Sequence, residues 1–570
     1  MAAPTTTEDL VGLVRAVEAL REQIDGSTFP LALPTTEEAH RVRTGLLNQL
    51  DDYVLPRLRS LEAPLLAVVG GSTGAGKSTL VNSLVRAVVS KPGVLRPTTR
   101  SPVLVHHPQD AHWFADDRVL PGLARLTGSV TQDDSSAVRL VPSEALEPGL
   151  ALLDAPDIDS VVTSNRDLAT QLLAAADLWL FVTTAARYAD AVPWEMLRLA
   201  AERGTSIAII LDRVPPEALD EIHDHLASML REQQLSLAPV FTVPEVPIGD
   251  DELLPADHVA RLQSWLVGLA KDARARATVV RNTLSGALDS FEPRISVLAT
   301  ATDEQTAATR ALTRVVDTAY AEAVEHVQQG VSDGTLLRGE VLSRWQEFVG
   351  TGEFFKQVES TVSRVRDRIV GTLTGRPAPA RELGEALQSG VATLVTAESR
   401  VAAAEVARAW RGMPGGELLL ERHPGLGQPG PQFEQQVERL VRDWQDDVLD
   451  LVRNEGQDRR TTAKVAAYGV NALGAVLMLV TFWHTAGISG AEAGIAGGSA
   501  VLAQKLLEAI FGDQAVRSLA ARAQGALDHR VRELLRVEAV RFTGAIVQVQ
   551  VPAQQGRQLT AAALGVTAAR

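Results

Sequence analysis

The chain has 570 residues, no cysteine and a formal net charge of −15. That length calls for several domains rather than one core. The missing cysteines exclude disulfides and thiolate metal sites, and the acidic balance argues against a nucleic-acid binder held by a basic face. Only 4% of residues are aromatic, while Ala, Leu, Val, Arg and Glu abound, which favours a largely helical protein. The opening MAAPTTTEDL has neither a basic start nor an apolar core, so no signal peptide is expected.

Helical spacing covers residues 8–25 and 36–60, separated by Pro30 and Pro34. Leu10, Leu13, Val14, Val17 and Leu20 lie on one stripe, so these helices are expected to join a helical bundle. From 61 to 270, short apolar runs alternate with amphipathic stretches, the mark of an α/β head with a mainly parallel sheet and flanking helices. The runs are 65–69, 103–105, 150–153, 178–182, 207–211 and 240–243. Ligands of such sheets bind at the carboxyl ends of the strands.

The first run enters Gly71-Ser72-Thr73-Gly74-Ala75-Gly76-Lys77-Ser78, and a helix is expected from Thr79 to residue 89. This is GxxxxGK[ST] in its strand–loop–helix setting. The glycines let backbone N–H groups curl around phosphate oxygens, and the helix N-terminus adds positive charge. Lys77 is placed for the β- and γ-phosphates and Ser78 for Mg²⁺. The loop therefore marks a nucleoside triphosphate site. Pro97-Thr98-Thr99-Arg100-Ser101-Pro102 follows, directly before a strand. A threonine there can complete the Mg²⁺ shell through its hydroxyl and hold the attacking water through its carbonyl; the alternative is a Pro-bounded turn. The third run ends in Asp154-Ala155-Pro156-Asp157, where an acidic residue suits a water-mediated contact to Mg²⁺.

Together, GGSTGAGKS, TTRSP and LLDAPD resemble the first three nucleotide motifs of dynamin-like large GTPases. The resemblance implies GTP with Mg²⁺, Thr99 as the catalytic threonine, and Asp154 as the aspartate of D-x-x-G. Lys77, Ser78, Thr99 and Asp154 would then carry catalysis, with Ser78, Thr99 and Asp154 serving the metal. Two departures stand out. The glycine of D-x-x-G is Asp157 here, and a carboxylate beside the γ-phosphate is unfavourable, which implies slow hydrolysis or a changed loop. Where GTPases carry [NT]KxD, this chain has Leu211-Asp212-Arg213-Val214-Pro215. Asp212 is a candidate acceptor from the base in a shifted register, and the Arg213 stem a candidate cover for the ring. Guanine preference is thus inherited from the resemblance. The loop also resembles that of ABC ATPases, but Leu284-Ser285-Gly286-Ala287 is not their signature and Ala155 stands where they need a glutamate. His106, His107 and His112 have no accompanying carboxylate spacing and read as surface or packing residues.

Beyond 271 the strand signals end. Helices are expected at 272–299, 304–329, 336–349, 353–373, 381–411 and 433–460, as an extended bundle or a compact accessory domain, with breaks at Ser332-Asp333-Gly334, at Pro377 and Pro379, and across 412–431. No charge lies between Lys464 and Glu492. Residues 465–483 match a bilayer core of roughly 30 Å, and a shorter run, 493–503, follows a turn. Arg459, Arg460, Lys464 and Lys505 flank the pair, placing both ends on the cytoplasmic side. Gly490, Gly494 and Gly498 give a smooth face for helix contact. The two readings are a membrane hairpin over 461–512, comparable to the membrane segment of bacterial dynamin-like proteins, and a hairpin buried in the bundle. A returning helix is expected over 514–547, then a loosely ordered tail from 552.

The order of parts resembles bacterial dynamin-like proteins. That resemblance implies a GTPase at the cytoplasmic face of the cell membrane, remodelling or tethering lipid, with the division septum one candidate site. It further implies self-association through the nucleotide heads and a paired dynamin-like chain as partner. The alternatives are a nucleotide-gated scaffold with little hydrolysis, and a soluble ATP-dependent regulator with a buried hairpin.

Overall fold

The computed structural model describes residues 7–90, 101–332, 378–455 and 512–570, apart from 117, 128–135, 160–162, 203, 234, 236, 237 and 250. The helices expected at 336–349 and 353–373, the apolar segments at 465–483 and 493–503, and Thr99 lie outside the described residues. Among the described residues no helix is long and apolar enough to cross a membrane. The chain divides into two compact units, one of residues up to Phe29, Pro34–Asp303 and Val551–Arg570, the other of Pro30–Leu33 and Glu304–Gln550.

The first unit begins with α1 (Thr7–Asp25), α2 (Thr36–Gln49), a π-helical turn at Leu50–Val54, and α3 (Leu55–Arg59). Its sheet has eight strands: β1 (Leu65–Gly71), β2 (Val103–His106), β3 (Ala124–Thr127), β4 (Ala137–Pro142), β5 (Leu150–Asp154), β6 (Leu178–Thr184), β7 (Ser206–Val214) and β8 (Val240–Pro244). Their spatial order is β3-β4-β2-β5-β1-β6-β7-β8. All six apolar runs form strands; β3 and β4 add a short extension on one side. Every neighbouring pair is parallel except β2 and β5, which run antiparallel with Val103 opposite Asp154.

β1, β5 and β6 are buried along their whole length. Successive side chains point to opposite faces. Leu66, Val68, Leu153, Trp179 and Phe181 enter one core, while Leu65, Ala67, Val69, Leu152 and Leu180 enter another. Strands covered on both faces need such unbroken apolar runs. The second face is covered by α4 (Lys77–Val85) through Leu80 and Leu84. A short α5 (Ala111–Phe114) follows β2, and α6 (Thr163–Ala174), α7 (Ala191–Glu202) and α8 (Leu219–Glu232) cover the first face through Leu172, Leu197 and Leu226. α9 (Ala256–Lys271) completes the second face with Val259 and Leu266.

The N-terminal helices, expected in the bundle, pack instead in the unit that holds the sheet. Leu13, Val17, Leu20 and Leu46 share a core with α10 (Ala273–Asp289) and the first part of α11 (Phe291–Ser332), through Leu288, Phe291 and Leu298. A buried ion pair ties α3 to the sheet: Arg57 Nε lies 3.1 Å from Asp177 Oδ1, and Asp177 Oδ2 accepts from the Leu66 amide at 2.8 Å.

In the second unit, α11 from Glu304 onward packs with α12 (Ala378–Arg411), α13 (Gly416–Arg422), α14 (Phe433–Glu455) and α15 (Asp513–Val547). Val437, Val441, Trp444 and Val448 mark the buried stripe of α14 at helical spacing. Trp444 donates to the Ala523 carbonyl at 2.9 Å and Trp410 to that of Leu312 at 3.2 Å, so each buried indole N–H has a partner.

The chain's last segment corrects the expected tail. Gln555–Ala568 forms α16, and Leu559, Ala563 and Val566 join the core of α1 and α10. Gln555 brackets Thr28, accepting from its amide and donating to its carbonyl at 3.2 Å each. Among so many Ala, Gly and Thr residues the apolar stripe is faint, and packing rather than hydrophobicity reveals it. Leu559 is 1% exposed, so Leu559→Ala should cost about 2–4 kcal/mol, read as a lower denaturant midpoint for the first unit.

Candidate active site

The order β5-β1-β6 sets the carboxyl ends of three strands side by side, and the loops leaving them form the site. β1 ends at Gly71, where a Cβ would stand 2.0 Å from the Val182 carbonyl of β6. Only glycine lets the chain turn there. The loop closes on itself through Ala75 N to Ser72 O at 3.2 Å, then enters α4 at Gly76, whose φ of 91° is left-handed.

Lys77 is folded back into this loop and is 6% exposed. Its Nζ donates to the carbonyls of Gly71 at 2.9 Å and Ser72 at 3.0 Å, and to the Asp157 carboxylate. A buried ammonium needs such an anion. Asp157, the departure noted in sequence, is therefore the charge partner of the P-loop lysine.

Asp154 closes β5 beside it. Its Oδ2 accepts from Ser78 Oγ at 2.7 Å and from Ser90 Oγ at 2.6 Å. Its Oδ1 is buried and has no hydrogen-bond partner among the described residues. Burial above all raises the Asp154 carboxyl; the Ser90 and Ser78 hydroxyls and then the Lys77 ammonium oppose that. An orphaned carboxylate oxygen beside an alcohol oxygen is a hard-oxygen pair that fits Mg²⁺, which takes one or two protein ligands and completes its shell with water and phosphate. Ser90 is held in place by fully buried Asn82, whose Oδ1 accepts from the amides of Val89 and Ser90 at 2.9 Å each and whose Nδ2 donates to Ser90 O at 2.6 Å.

A second set of contacts sits at the lip of the loop. Thr73 donates through both its amide and its hydroxyl to Asp159 Oδ1, each at 2.6 Å. Arg187, in the turn after β6, donates to Thr73 O and to Asp159 Oδ2, each at 3.0 Å, and to Asp190 Oδ2 at 2.9 Å. Burial by itself would raise the Asp159 carboxyl, but Thr73 and then Arg187 outweigh it and hold it below its ordinary value. Neither Asp159 nor Arg187 was legible as a site residue, since each reaches the P-loop only through the sheet's topology, and Ser90 joins the site only by its bond to Asp154.

At the end of β7 the pairing with β8 breaks between Leu211 and Val214. Asp212 is buried there. Its Oδ1 accepts from the Arg213 amide at 2.9 Å, and its Oδ2 lies 2.2 Å from where a Cβ on Gly76 would be. The carboxylate thus faces the P-loop backbone. Arg213 takes a left-handed φ of 54° and its side chain is 53% exposed. Of the remaining P-loop residues, Ser72 keeps a buried hydroxyl without a hydrogen bond among the described residues, Gly74 has a φ of 76°, and the Thr79 carbonyl accepts from Ser83 Oγ at 2.7 Å. The three histidines serve local turns: His106 and His112 pair with the carbonyls of His107 and Gln109, and His107 accepts from the Gln109 amide.

Residues 66–213 match the model of the dynamin family. No curated protein matches the chain. Two solved chains, described as an oligomerised bacterial dynamin pair that provides a mechanism for the long-range sensing and tethering of membranes, are 8% and 9% identical to this one. The first comparison covers 100% of this chain and 96% of the other, the second 98% and 95%, each with a TM-score of 0.43.

Burial pushes the Asp212 carboxyl from 3.8 up to about 6. The folded state then holds this proton to higher pH than the unfolded chain, so stability falls as pH rises from about 4 to about 6, by up to about 3 kcal/mol. Asp212→Asn removes that slope: the variant should match the parent near pH 4 and unfold at higher temperature than the parent at pH 7.5, measured by thermal scans without nucleotide.

Proposed function

We propose that this chain, whose residues 66–213 belong to the dynamin family, is a membrane-associated GTPase that hydrolyses GTP slowly and self-associates through its heads. One observation supports the reading above the others: the buried, unpartnered Asp154 Oδ1 beside Ser78, at the strand end that faces the P-loop. Ser78 would ligate Mg²⁺ through Oγ, and Asp154 would hold a ligating water through Oδ1. Mg²⁺, when bound, neutralises charge on the β- and γ-phosphate oxygens. The P-loop amides of Gly74, Gly76, Lys77 and Thr79 are assigned to the phosphates, and Lys77 would exchange Asp157 for them. Thr99 is assigned the hydroxyl that completes the metal shell and the carbonyl that holds the attacking water. Asp212 braces Gly76, and the stem of Arg213 covers the base.

The lipid-facing part of the reading rests on the sequence between Lys464 and Glu492, which carries no charge. Its flanking Arg459, Arg460 and Lys464 assign the ends to the cytoplasmic face of the membrane, where remodelling or tethering of lipid follows from nucleotide-dependent pairing of heads or from a paired dynamin-like chain. On liposomes the purified protein should release phosphate from GTP, and Lys77→Ala should reduce that turnover by at least about a hundredfold. Strict ATP preference, or a protein that stays off liposomes in flotation, would point to the soluble regulator instead.

A specific contact also favours the scaffold reading, in which GTP is bound and barely cleaved: Lys77 is already neutralised by Asp157. Removing that competing charge should release the lysine. Asp157→Asn is expected to bind GTP about tenfold more tightly, roughly 1.4 kcal/mol, and to turn over faster than the parent. Tighter binding with no turnover in either protein would select the scaffold.

A further inference from the structure

We propose that Arg187 is a positioning residue of the hydrolytic site, acting through Asp159 to set where the loop after β5 stands over the P-loop. The proposal rests on the GTPase reading and adds a residue that reading does not use. Three nitrogens of one guanidinium are engaged: Nη1 on the Thr73 carbonyl, Nη2 on Asp159 Oδ2 and Nε on Asp190 Oδ2. Asp159 returns to Thr73 through Oδ1, which accepts from both its amide and its hydroxyl. Thr73, Asp159 and Arg187 thereby close a ring in which every polar group of Thr73 is engaged.

The ring fastens the P-loop to the loop that leaves β5. Thr73 belongs to the P-loop, four residues before Lys77. Asp159 belongs to the segment that carries Asp154 and Asp157, and Ile158 N adds a 3.4 Å contact to Gly71 O within it. Without the guanidinium, Thr73 O and Asp159 Oδ2 both lose their donor, and Thr73 is tied to the segment through Asp159 Oδ1 alone, while Asp157 and Ile158 still hold it at Lys77 and Gly71. The side chain of Arg187 is 40% exposed and faces two carboxylates, so its charge is balanced at home. Its contribution is accordingly geometric. It should govern the rate of phosphoryl transfer, which depends on the placement of water and phosphate, rather than the grip on nucleotide. A lysine cannot substitute, because one ammonium cannot span acceptors that the planar fork reaches together.

The test compares the full chain with Arg187→Ala, Arg187→Lys, Asp159→Asn and the Arg187→Ala/Asp159→Asn double variant, on liposomes. Binding of a fluorescent GDP analogue is measured beside steady-state GTP turnover and hydrogen exchange at the Thr73 amide. The expected result is a kcat 10- to 100-fold lower in each variant, with KM and GDP-analogue affinity within about threefold of the parent. The double variant should be no slower than the worse single one, since residues that act as a unit are not additive. Thr73 exchange should accelerate at least tenfold in Arg187→Ala. An unchanged kcat, an affinity loss that matches the kcat loss, a multiplicative double variant, or full activity in Arg187→Lys would each overturn the proposal. If the parent itself cleaves neither GTP nor ATP, the GTPase reading fails, and exchange decides the clasp alone: unchanged Thr73 protection in Arg187→Ala refutes it, and accelerated exchange upholds it.

Discussion

A lysine ammonium that is almost wholly buried must have anions around it, and the site is arranged by that requirement. Lys77 reaches two carbonyls of its own loop and one carboxylate, and the carboxylate comes from the segment after β5. Drawing Asp157 onto Lys77 brings Asp154 alongside Ser78 and leaves one of its oxygens buried and unpaired. It also brings Asp159 to the lip of the P-loop. Three aspartates within six residues therefore meet one lysine, one serine and one threonine of a single glycine-rich loop. The contacts of Asp157 with Lys77 and of Asp159 with Thr73 involve a charged group, the strong class of hydrogen bond.

The same contacts give Asp157 a meaning that differs from simple damage to a motif. In the dynamin-like pattern this position is a glycine; here it is an internal anion paired with Lys77. Under the proposed function a nucleotide would have to outcompete it. Asp212 shows a related substitution. It stands where the dynamin-like pattern carries its base motif, but its carboxylate is buried and lies toward Gly76. The exposed Arg213 beyond it stands 4.0 Å from the same carboxylate.

Much of the head was legible in the sequence because its central strands are covered on both faces. An unbroken apolar run such as LLAVV or LWLFV is difficult to place elsewhere than in the middle of a parallel sheet. β3 escaped because ARLT is an edge strand with its outer residues exposed, and β4 because AVRLVP alternates over only half its length. The antiparallel turn of β2 against β5 has no local signature at all. The P-loop, Ser78 and Asp154 were readable from spacing, since a strand, a glycine-rich turn and a helix must be contiguous. Arg187 and Asp159 were not: they lie 114 and 86 residues from Thr73 along the chain, and only the order β5-β1-β6 joins them. In α16 the difficulty was compositional, since a stripe of one leucine, one alanine and one valine barely rises above its small neighbours.

Under the proposed function Lys77 trades an internal carboxylate for a triphosphate, with Asp154 and Ser78 holding the metal beside it. A crystal structure of the full chain with Mg²⁺ and a non-hydrolysable GTP analogue tests this directly. Lys77 Nζ is expected on the β- and γ-phosphate oxygens, with Asp157 turned away and Mg²⁺ between Ser78 and a water held by Asp154 Oδ1. A bound analogue with Lys77 still paired to Asp157, or with the metal away from Ser78, would contradict it.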